Sequence, residues 1–387
     1  MLNKAKAIQS EMVAWRRDFH MHPELGFKEE RTSAKVAEII KTFGYRVQTG
    51  VGKTGVVAEI GSGKPVVAIR ADMDALPIIE ANQVPYRSKN KGVMHACGHD
   101  AHTAIALGTA KLLSEESFSG TVRFLFQPAE ETDDEEGLSG APRMIEDGAI
   151  KDIDRIIALH VDAANNTGEI EIPTEYASAG VDTFYAKIIG KGGHGSTPHK
   201  VVDPIFLSGH VILALHGIVS RRLRPYDPAV ISIGSIQGGH IDNVIPEEVN
   251  LTGTIRFLDP EVQQKIHTEI KNALEITRSL GGDYELEIIE GYPPMHNHPE
   301  AVDLIKMVVG ELLGEEKIVP TEPSMGAEDF GYFLEKTPGA MFMLGCKIEG
   351  DERRHHDPRF DIDENCLPIG AAIIAKTALR ILDQSDN

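Results

Sequence analysis

The feature that most constrains the fold of this chain is a series of β-type segments, each closed or followed by an acidic residue or a histidine. Apolar stretches at 66–71, 121–127 and 156–160 have the length and composition of buried strands, and helical patterns separate them. In an open α/β sheet the binding crevice lies outside the carboxyl ends of the strands. We therefore expect residues that are distant in the sequence to meet at one edge of one sheet.

The polar residues at these ends are of the types that bind divalent cations or orient such ligands. They occur in five stretches: Ala-Asp-Met-Asp at 71–74, His-Ala-Cys-Gly-His-Asp at 95–100, Ala-Glu-Glu at 129–131, Leu-His at 159–160 and His-His-Asp-Pro at 355–358. Thiolate, imidazole and carboxylate groups are the usual ligands of zinc and of later first-row metals. Their convergence predicts a metalloenzyme.

Length, charge and cysteine count set the outer limits. A chain of 387 residues is too long for one compact core, so two domains are expected. The formal net charge of −20 disfavours binding to nucleic acid or to anionic membranes. Three cysteines are too few for a disulfide framework and fit a reducing compartment. Residues 1–22 show no signal-peptide core, and we expect a cytoplasmic protein.

The most apolar stretch, at 204–219, is interrupted by Ser208, His210 and His216. It is also shorter than the roughly 20 apolar residues that span a bilayer. We expect it to form a helix that is buried between protein surfaces. Such excess apolar surface usually marks an interface, which predicts a homodimer.

The pattern of elements changes near residue 178. Strands are predicted at 181–189, 229–236, 248–257 and 284–289, with helices at 204–221 and 260–280. The order β-α-β-β-α-β is that of the split βαβ, or ferredoxin-like, arrangement. After Gly291 helix and strand patterns like those before residue 178 resume. The second domain is therefore expected as an insertion at 179–292. The first domain then comprises 1–178 and 293–387.

Cys97 and His99 lie one residue apart on a glycine-containing turn before a predicted helix at 100–113. This pair is weak evidence by itself, because a buried structural cysteine gives the same pattern. Asp100 and His102 beside it make the cluster unusual. A second interpretation is a cysteine hydrolase, in which Cys97 is the nucleophile and His99 or His102 is the base.

Glu130 and Glu131 follow the strand predicted at 121–127. Adjacent carboxylates at a strand end can divide the work, because one can ligate a cation while its neighbour takes a proton from water. The structural alternative is a pair of exposed acids. A rival pair, Glu135 and Glu136, lies further out in a polar loop.

Histidines and aspartates at the same sheet edge complete the candidates. His160 ends the third apolar run, where a lone histidine would more often be a hydrogen-bonded core residue. The spacing does not separate His355 from its neighbour His356. Asp72 and Asp74 are expected to face opposite sides of the sheet, one of them holding a ligand imidazole or capping a turn.

Two glycine-rich loops of the second domain hold further candidates, at 190–196 and 238–243. The first lacks the Gly-Lys-Ser/Thr ending of a phosphate loop, so nucleotide binding is not expected. His194, Asn243 and Arg256 have the chemistry to bind an anionic substrate group, since arginine forks onto a carboxylate. Structural turns are the alternative.

Taken together, the motifs resemble those of one family over essentially the whole chain. This is the amidohydrolase branch of the aminoacylase and glutamate-carboxypeptidase metallopeptidases, which contains hippurate hydrolases, auxin-conjugate hydrolases and N-acetyldiaminopimelate deacetylases. The motifs are His-Pro-Glu-Leu-Gly-Phe at 22–27, Asp-Met-Asp-Ala-Leu-Pro at 72–77, His-Ala-Cys-Gly-His-Asp at 95–100, Phe-Gln-Pro-Ala-Glu-Glu at 126–131, Gly-Gly-His-Gly-Ser at 192–196, Met-Gly-Ala-Glu-Asp-Phe at 325–330 and His-Asp-Pro-Arg-Phe at 356–360. One departure is the polar stretch 132–136, where relatives usually enter a glycine-rich turn almost at once.

The resemblance implies a mixed-sheet α/β catalytic domain of the metallopeptidase type, with an inserted lid or dimerisation domain. It implies two divalent metal ions per chain, with zinc, manganese, cobalt and nickel as the candidates. The implied ligands are Cys97, His99, Glu131, His160 and His356. The His-x-Pro-x-Phe match selects His356 over His355.

The implied reaction is hydrolysis of the amide bond of a small N-acyl amino acid by metal-activated water. Its predicted catalytic residues are Glu130 as general base, Asp74, and His194 as an oxyanion donor that reaches in from the partner of a homodimer. A di- or aminopeptidase on the same scaffold is the main alternative. A metal-stabilised binding protein without activity would need a missing base, and Glu130 is present.

Overall fold

The computed structural model describes residues 1–321 and 324–383. Contacts divide the chain into two compact units. The first comprises Met1–Ala177, His296–Glu322 and Tyr332–Asn387, and the second comprises Ser178–Met295 and Pro323–Gly331. The boundaries predicted from the sequence put all of 293–387 in the first domain, whereas in the structure the segment that ends at Gly331 groups with the second unit.

The first unit is built on an eight-stranded mixed sheet. In chain order its strands are β1 (Arg46–Val51), β2 (Gly55–Ser62), β3 (Val66–Asp72), β4 (Gly120–Gln127), β5 (Arg155–Asn166), β6 (Ile170–Glu171), β15 (Ile318–Val319) and β16 (Gly339–Lys347). Their order in the sheet is β1-β2-β4-β3-β5-β16-β6-β15. The four strands β4, β3, β5 and β16 are parallel, so their carboxyl ends meet at one edge.

The central strand β3 is buried along its whole length, as the continuous apolar run predicts for a sheet that is covered on both faces. Strand β5 differs from the prediction, because it continues six residues beyond His160 to Asn166. After Val161 the apolar run gives way to one aspartate, two alanines and two asparagines, although Leu344 and Gly345 of β16 still pair with Val161 and Asp162. His160 therefore lies within a strand and does not end one.

Helices cover this sheet. They are α1 (Leu2–Ala7), α2 (Gln9–Met21), α3 (Glu30–Lys41), α4 (His99–Ser114), α5 (Gly140–Glu146), α8 (Pro299–Leu313) and α10 (Cys366–Asp383), while α9 (Phe330–Leu334) is a short helix at the unit boundary. In α4 all residues except Lys111 and Ser114 are buried. Its small side chains permit this: a Cβ at Gly108 would lie 2.3 Å from Met12 Sδ. The buried helix α4 begins at His99 and so fixes that residue beside the sheet.

The second unit has the predicted β-α-β-β-α-β order. It consists of β8 (Gly180–Ile189), α6 (Pro204–Arg221), β10 (Ala229–Gln237), β12 (Glu248–Phe257), α7 (Pro260–Ser279) and β13 (Asp283–Glu290), with the short strands β9 (Gly193–His194) and β11 (Val244–Ile245). The sheet order is β10-β12-β8-β13. The prediction of a ferredoxin-like unit is therefore confirmed. Two further short strands are β7 (Tyr176–Ser178) and β14 (Met295–His296).

Helix α6 begins after Asp203, whose carboxylate accepts the N–H of Ile205 at 2.9 Å, and Pro204 occupies the first helical position. One face of the helix packs into the core of its unit, whereas Leu213 on the other side is 74 % exposed. The sequence predicted a helix buried between protein surfaces. Within one chain, α6 is buried on one face only. By length and composition alone this helix would also suit a membrane span.

Candidate metal centre

The centre is assembled around the turn that precedes α4. Gly98 has a φ of +97°, a left-handed conformation that suits glycine, and a Cβ there would lie 2.3 Å from Val161 Cγ2. This turn places Cys97 and His99 on either side of Gly98, beside Val161 in the middle of β5. In the first unit the candidate ligand residues therefore meet beside the sheet, as the sequence predicted.

Potential ligand atoms from four segments lie close together. Cys97 Sγ is 3.5 Å from His160 Nε2, and His356 Nε2 is 3.0 Å from Glu131 Oε1. His99 Nε2 is 4.0 Å from that same Glu131 oxygen. Three overlapping groups have donor atoms that all lie within 4.8 Å of one another: Cys97, His99 and His160; Cys97, Glu131 and His356; His99, Glu130 and Glu131. The first unit thus brings together all five predicted ligands and the predicted base.

The His99 ring is prepared to donate one nitrogen to a cation. Its Nδ1 is 3.1 Å from Asp74 Oδ1, and its Nε2 is buried without a hydrogen bond to any described part of the chain. A carboxylate that accepts Nδ1–H leaves the Nε2 lone pair directed into the cluster, which is the usual arrangement of a metal-bound histidine. The donor set and this buried nitrogen without a hydrogen bond both fit a metal ion, which would take the place of a proton on Nε2.

Asp72 contacts a histidine and an arginine beside the candidate ligands. Its Oδ1 is 2.6 Å from His102 Nδ1, and its Oδ2 is 2.6 Å from Arg70 Nη1. His102 Nε2 accepts the N–H of Val161 at 2.9 Å, so both nitrogens of that ring are engaged within the protein. His102 therefore does not offer a metal ligand, although it lies next to His99.

The expectation that Asp72 and Asp74 face opposite sides of the sheet is wrong. Both carboxylates approach imidazoles of the same cluster, at 2.6 Å from His102 and at 3.1 Å from His99. Alternate positions of an extended segment share a face, so their spacing favours a common direction. Each of the two aspartates, rather than one, holds a ring in place.

The buried charges perturb one another strongly. Burial disfavours the charged form of His99, but the carboxylates of Asp72, Asp74 and Glu131 outweigh it and raise the His99 pKa to about 10. Burial also acts on Glu131, yet the hydrogen bond from His356 and the charge of His99 lower the pKa of this carboxyl. The carboxylates of the cluster therefore favour positive charge at the histidines, and binding a metal there would displace protons.

The surroundings of Cys97 do not suit a nucleophile. Burial, followed by the charges of Glu131 and Glu130, raises the pKa of the Cys97 thiol well above its usual range. A nucleophilic cysteine needs the opposite shift. The imidazoles in contact with Sγ are His160 at 3.5 Å and His355 at 3.8 Å, rather than the bases expected for a cysteine hydrolase.

The sequence motif selects His356 over His355 as a ligand, yet His355 also lies beside the cluster. Its Nδ1 approaches Cys97 Sγ, and its ring packs on Phe360 with the centroids 4.9 Å apart. His356 has a φ of +61°, and its N–H donates to Ala96 O at 2.8 Å. This turn directs neighbouring side chains to different parts of the cluster. The adjacent His-His pair in the sequence was the available signal for His355.

Glu130 is buried, with 7 % of its surface exposed. The polar loop that follows is organised by Asp134, which pairs with Lys53 and with Arg143, the latter at 2.7 Å. Glu135 and Glu136 are exposed in this loop. The inserted polar stretch is thus a hydrogen-bonded loop in its own right and leaves Glu130 in the cluster.

Behind the ligand segments lies a second buried cluster. Arg16 is fully buried; its Nε is 2.8 Å from Asp100 Oδ2, and its Nη2 is 2.7 Å from Asp361 Oδ1. His20 Nδ1 also lies 2.7 Å from Asp100 Oδ2. Against the effect of burial, Arg16 and His20 hold the pKa of Asp100 far below its ordinary value. Since Asp100 follows His99, and Asp361 follows the turn at His356, one guanidinium ties two ligand segments together.

The predicted substrate-binding residues all lie in the second unit. His194 is exposed, and its Nδ1 lies 2.9 Å from Ser196 Oγ. Strand pairing brings His194 opposite Val244, directly after Asn243. Arg256 is partly buried in β12 and donates to Thr254 Oγ1 at 2.8 Å. Within this unit His194 and Asn243 are therefore neighbours, while Arg256 belongs to a separate strand pair.

An α/β scaffold with sulfur, imidazole and carboxylate donors at the sheet edge defines a metal-dependent hydrolase. The family model for peptidase family M20/M25/M40 matches residues 68–380. The chain belongs to this family and is a metal-dependent amidohydrolase.

Curated relatives match over nearly the full length. Thermostable carboxypeptidase 2 of Saccharolobus solfataricus is 41 % identical, with 98 % of this chain and 97 % of that protein covered. N-acetyl-L-cysteine deacetylase of Bacillus subtilis is 37 % identical, with 98 % and 90 % covered. A solved Bacillus subtilis structure, described as a dinuclear metal binding peptidase from the M20 family, has a TM-score of 0.85 at 33 % identity and covers 98 % of this chain and 99 % of its own.

Proposed function

We propose that this protein is an N-acyl-amino-acid amidohydrolase that works with two divalent cations. The observation that carries the proposal is the cluster of Cys97, His99, Glu131, His160 and His356 with the buried Glu130 beside it. Similarity to an N-acetyl-L-cysteine deacetylase supports the substrate class, and similarity to a dinuclear peptidase supports two cations.

The five clustered side chains Cys97, His99, Glu131, His160 and His356 would hold the cations. Bound divalent cations polarise a carbonyl oxygen and make water acidic enough to attack at neutral pH. Asp74 holds the His99 ring and so fixes the direction of one ligand. The thiolate of Cys97 favours zinc, cobalt, nickel or another later metal over a hard cation such as magnesium.

Glu130 acts as the general base in this mechanism. It takes a proton from the attacking water and delivers it to the amide nitrogen as the C–N bond breaks. The products are a free carboxylic acid and a free amino acid. Because Glu130 is buried, its carboxylate works in surroundings where water competes weakly for its hydrogen bonds.

The second unit supplies substrate contacts in this proposal. His194 stabilises the oxyanion, and Asn243 with Arg256 binds the carboxylate of the amino acid. We further propose that the second unit serves as lid and dimerisation domain of a cytoplasmic homodimer. The exposed apolar residues of α6, which include Phe206 and Leu213, support the interface.

A second candidate is a carboxypeptidase or other peptidase on the same scaffold. It is favoured by the 41 % identity to thermostable carboxypeptidase 2. Both reactions use the same base and the same cations, so the distinction lies in the substrate. Turnover of N-acetyl and N-benzoyl amino acids, compared with that of free dipeptides, separates the two.

The test combines metal analysis with a substrate screen. Purified active protein should contain two divalent ions per chain, and a chelator should abolish activity until metal is restored. With cobalt, the spectrum should show a thiolate charge-transfer band that Cys97→Ser removes. Active protein that contains no metal would contradict the site, whereas turnover of dipeptides alone would contradict only the substrate class.

A further inference from the structure

Two buried carboxylates hold the backbone on either side of Glu130. Glu29 Oε1 accepts the N–H of Ala129 at 2.8 Å, and Asp74 Oδ2 accepts the N–H of Glu131 at 3.0 Å. Glu29 is fully buried and Asp74 is 1 % exposed. The proposed base thus stands in a peptide segment that is fixed at both flanking amides.

The backbone at Ala129 needs such support. Its φ is +44°, in the left-handed region where a residue with a Cβ is strained. Its carbonyl accepts the N–H of Gly140 at 2.8 Å, so the hydrogen bond to Glu29 is the second anchor of this residue. Without it, the turn is expected to relax toward an ordinary conformation and to change the direction in which Glu130 leaves the backbone.

Glu29 is itself held in one position. Its Oε2 accepts the hydroxyl of Thr54 at 2.5 Å, and the carbonyl of Thr54 accepts the hydroxyl of Ser33. Burying a carboxylate so completely is costly unless its oxygens are hydrogen-bonded. Both Glu29 oxygens are engaged, one of them on the segment that carries the base.

We propose that Glu29 is a positioning residue for catalysis: it holds Ala129 in the left-handed turn and thereby aims the Glu130 carboxylate. This proposal rests on the role of Glu130 as base. Glu29 is not one of the clustered metal-binding side chains. Its replacement should therefore change turnover and leave the metal content unchanged. An acceptor oxygen at this position is what the turn requires.

The test compares Glu29→Met, which removes the acceptor, with Glu29→Gln, which keeps an oxygen for the Ala129 N–H. The neighbouring Glu30 is exposed at the start of α3 and gives the matched controls Glu30→Met and Glu30→Gln. Glu29→Met should lower kcat by about 10- to 100-fold, because small misplacements of a catalytic group cost that much. KM and metal content should stay within twofold of the unmodified enzyme. Glu29→Gln and both controls should keep kcat within about threefold.

Amide hydrogen exchange gives a readout that does not depend on activity. The Ala129 amide should exchange at least tenfold faster in Glu29→Met than in the unmodified protein, with little change in Glu29→Gln. Thr54→Val removes the hydroxyl that orients Glu29 and gives a milder form of the test should Glu29→Met fail to fold. It should raise the exchange rate of Ala129 and lower kcat by a smaller factor.

Unchanged exchange and unchanged kcat in Glu29→Met would overturn the proposal. So would a loss of metal in that variant, or an equal loss of kcat in Glu29→Gln. Glu130→Gln separates this outcome from failure of the proposed function. If Glu130→Gln keeps its turnover, the base has been assigned wrongly, while the exchange rate of Ala129 still reports whether Glu29 holds the turn.

Discussion

Asp74 contacts two parts of the metal centre through its two oxygens: Oδ1 lies 3.1 Å from His99 Nδ1, and Oδ2 accepts the N–H of Glu131 at 3.0 Å. One buried carboxylate therefore sets both the direction of an imidazole and the backbone position of the neighbouring carboxylate ligand. Asp74 can therefore influence how a cation is bound without being a ligand itself.

The first prediction follows from this double contact. Asp74→Asn removes the charge that favours Nδ1–H on His99 and should weaken metal affinity by about 10- to 100-fold, the usual cost of losing such a supporting group. Competition with a chromogenic chelator measures the affinity. Asp133→Asn, in the exposed loop beyond Glu131, should have no effect. Equal affinities for the two variants would contradict the role of Asp74.

The second prediction separates the two adjacent glutamates. Glu130→Gln should keep the fold and the metals but lose about 10²–10⁴-fold in kcat, because the amide cannot accept a proton. Glu131→Gln should instead lower metal content, since it removes a charged ligand. Metal analysis and kcat, measured on the same samples, decide between them. The reverse pattern would show that the roles are exchanged. Full activity in both variants would make Glu135 and Glu136 the candidates for base and ligand.

The third prediction concerns the buried guanidinium. Arg16→Met leaves Asp100 and Asp361 without their cation and should lower the free energy of unfolding by about 3–5 kcal/mol. Arg17, which is 43 % exposed and pairs with Glu364, is the matched control and should cost about 1 kcal/mol or less on replacement by Met. Urea denaturation in the presence of a chelator measures both without a contribution from metal binding. Similar losses would contradict the special position of Arg16.

The fourth prediction is a dependence of stability on pH. Burial, with the nearby charge of Asp74, raises the pKa of Glu29 from 4.5 to about 7. A carboxyl with a raised pKa binds its proton more tightly in the folded protein, so its stabilising contribution is complete below pH 4.5 and is lost as the pH rises through about 7.

Glu29→Gln stays neutral and avoids this loss. Its free energy of unfolding, relative to that of the unmodified protein, should therefore increase by up to about 3 kcal/mol between pH 4.5 and pH 8. Urea denaturation of metal-free protein across this range gives the difference. For Glu30→Gln the difference should not change with pH. A flat profile for Glu29→Gln as well would contradict the raised pKa.

The fifth prediction concerns assembly. The protein should be a dimer by light scattering at micromolar concentration, and Leu213→Glu should shift it toward the monomer, because Leu213 is 74 % exposed on α6. Leu280→Glu, at a leucine of the same unit that is 45 % exposed, should leave the dimer intact. A monomeric unmodified protein would remove the support for His194 acting across an interface.

The sequence carried most of the fold because both units follow strong local patterns. The second unit could be predicted strand by strand, since alternating burial in β8 and β12 leaves a clear period of two. Strand β5 was predicted too short, because its last residues are polar while β16 still pairs with the strand as far as Asn166. Backbone pairing of this kind leaves no mark in hydrophobic periodicity.

The stretches that hold the candidate ligands could be found from the distinctive chemistry of their side chains, whereas the choice of the five ligands among them came from the family resemblance. The residues behind them could not be found in this way. Glu29 is one of many glutamates, and its importance depends on a contact with Ala129, one hundred residues away. Arg16 resembles its neighbour Arg17 in the sequence, yet one is fully buried and the other is not. Such distinctions arise from tertiary burial alone.

The distribution of the ligand segments along the chain has a consequence for biogenesis. Cys97, His99, Glu131 and His160 are made first, the second unit is made next, and His356 is made after it. During synthesis on the ribosome the nascent chain therefore carries an incomplete set of donors, with Glu131 still lacking its imidazole partner. Metal capture with the full set of donors must wait until the segment that carries His356 has been made.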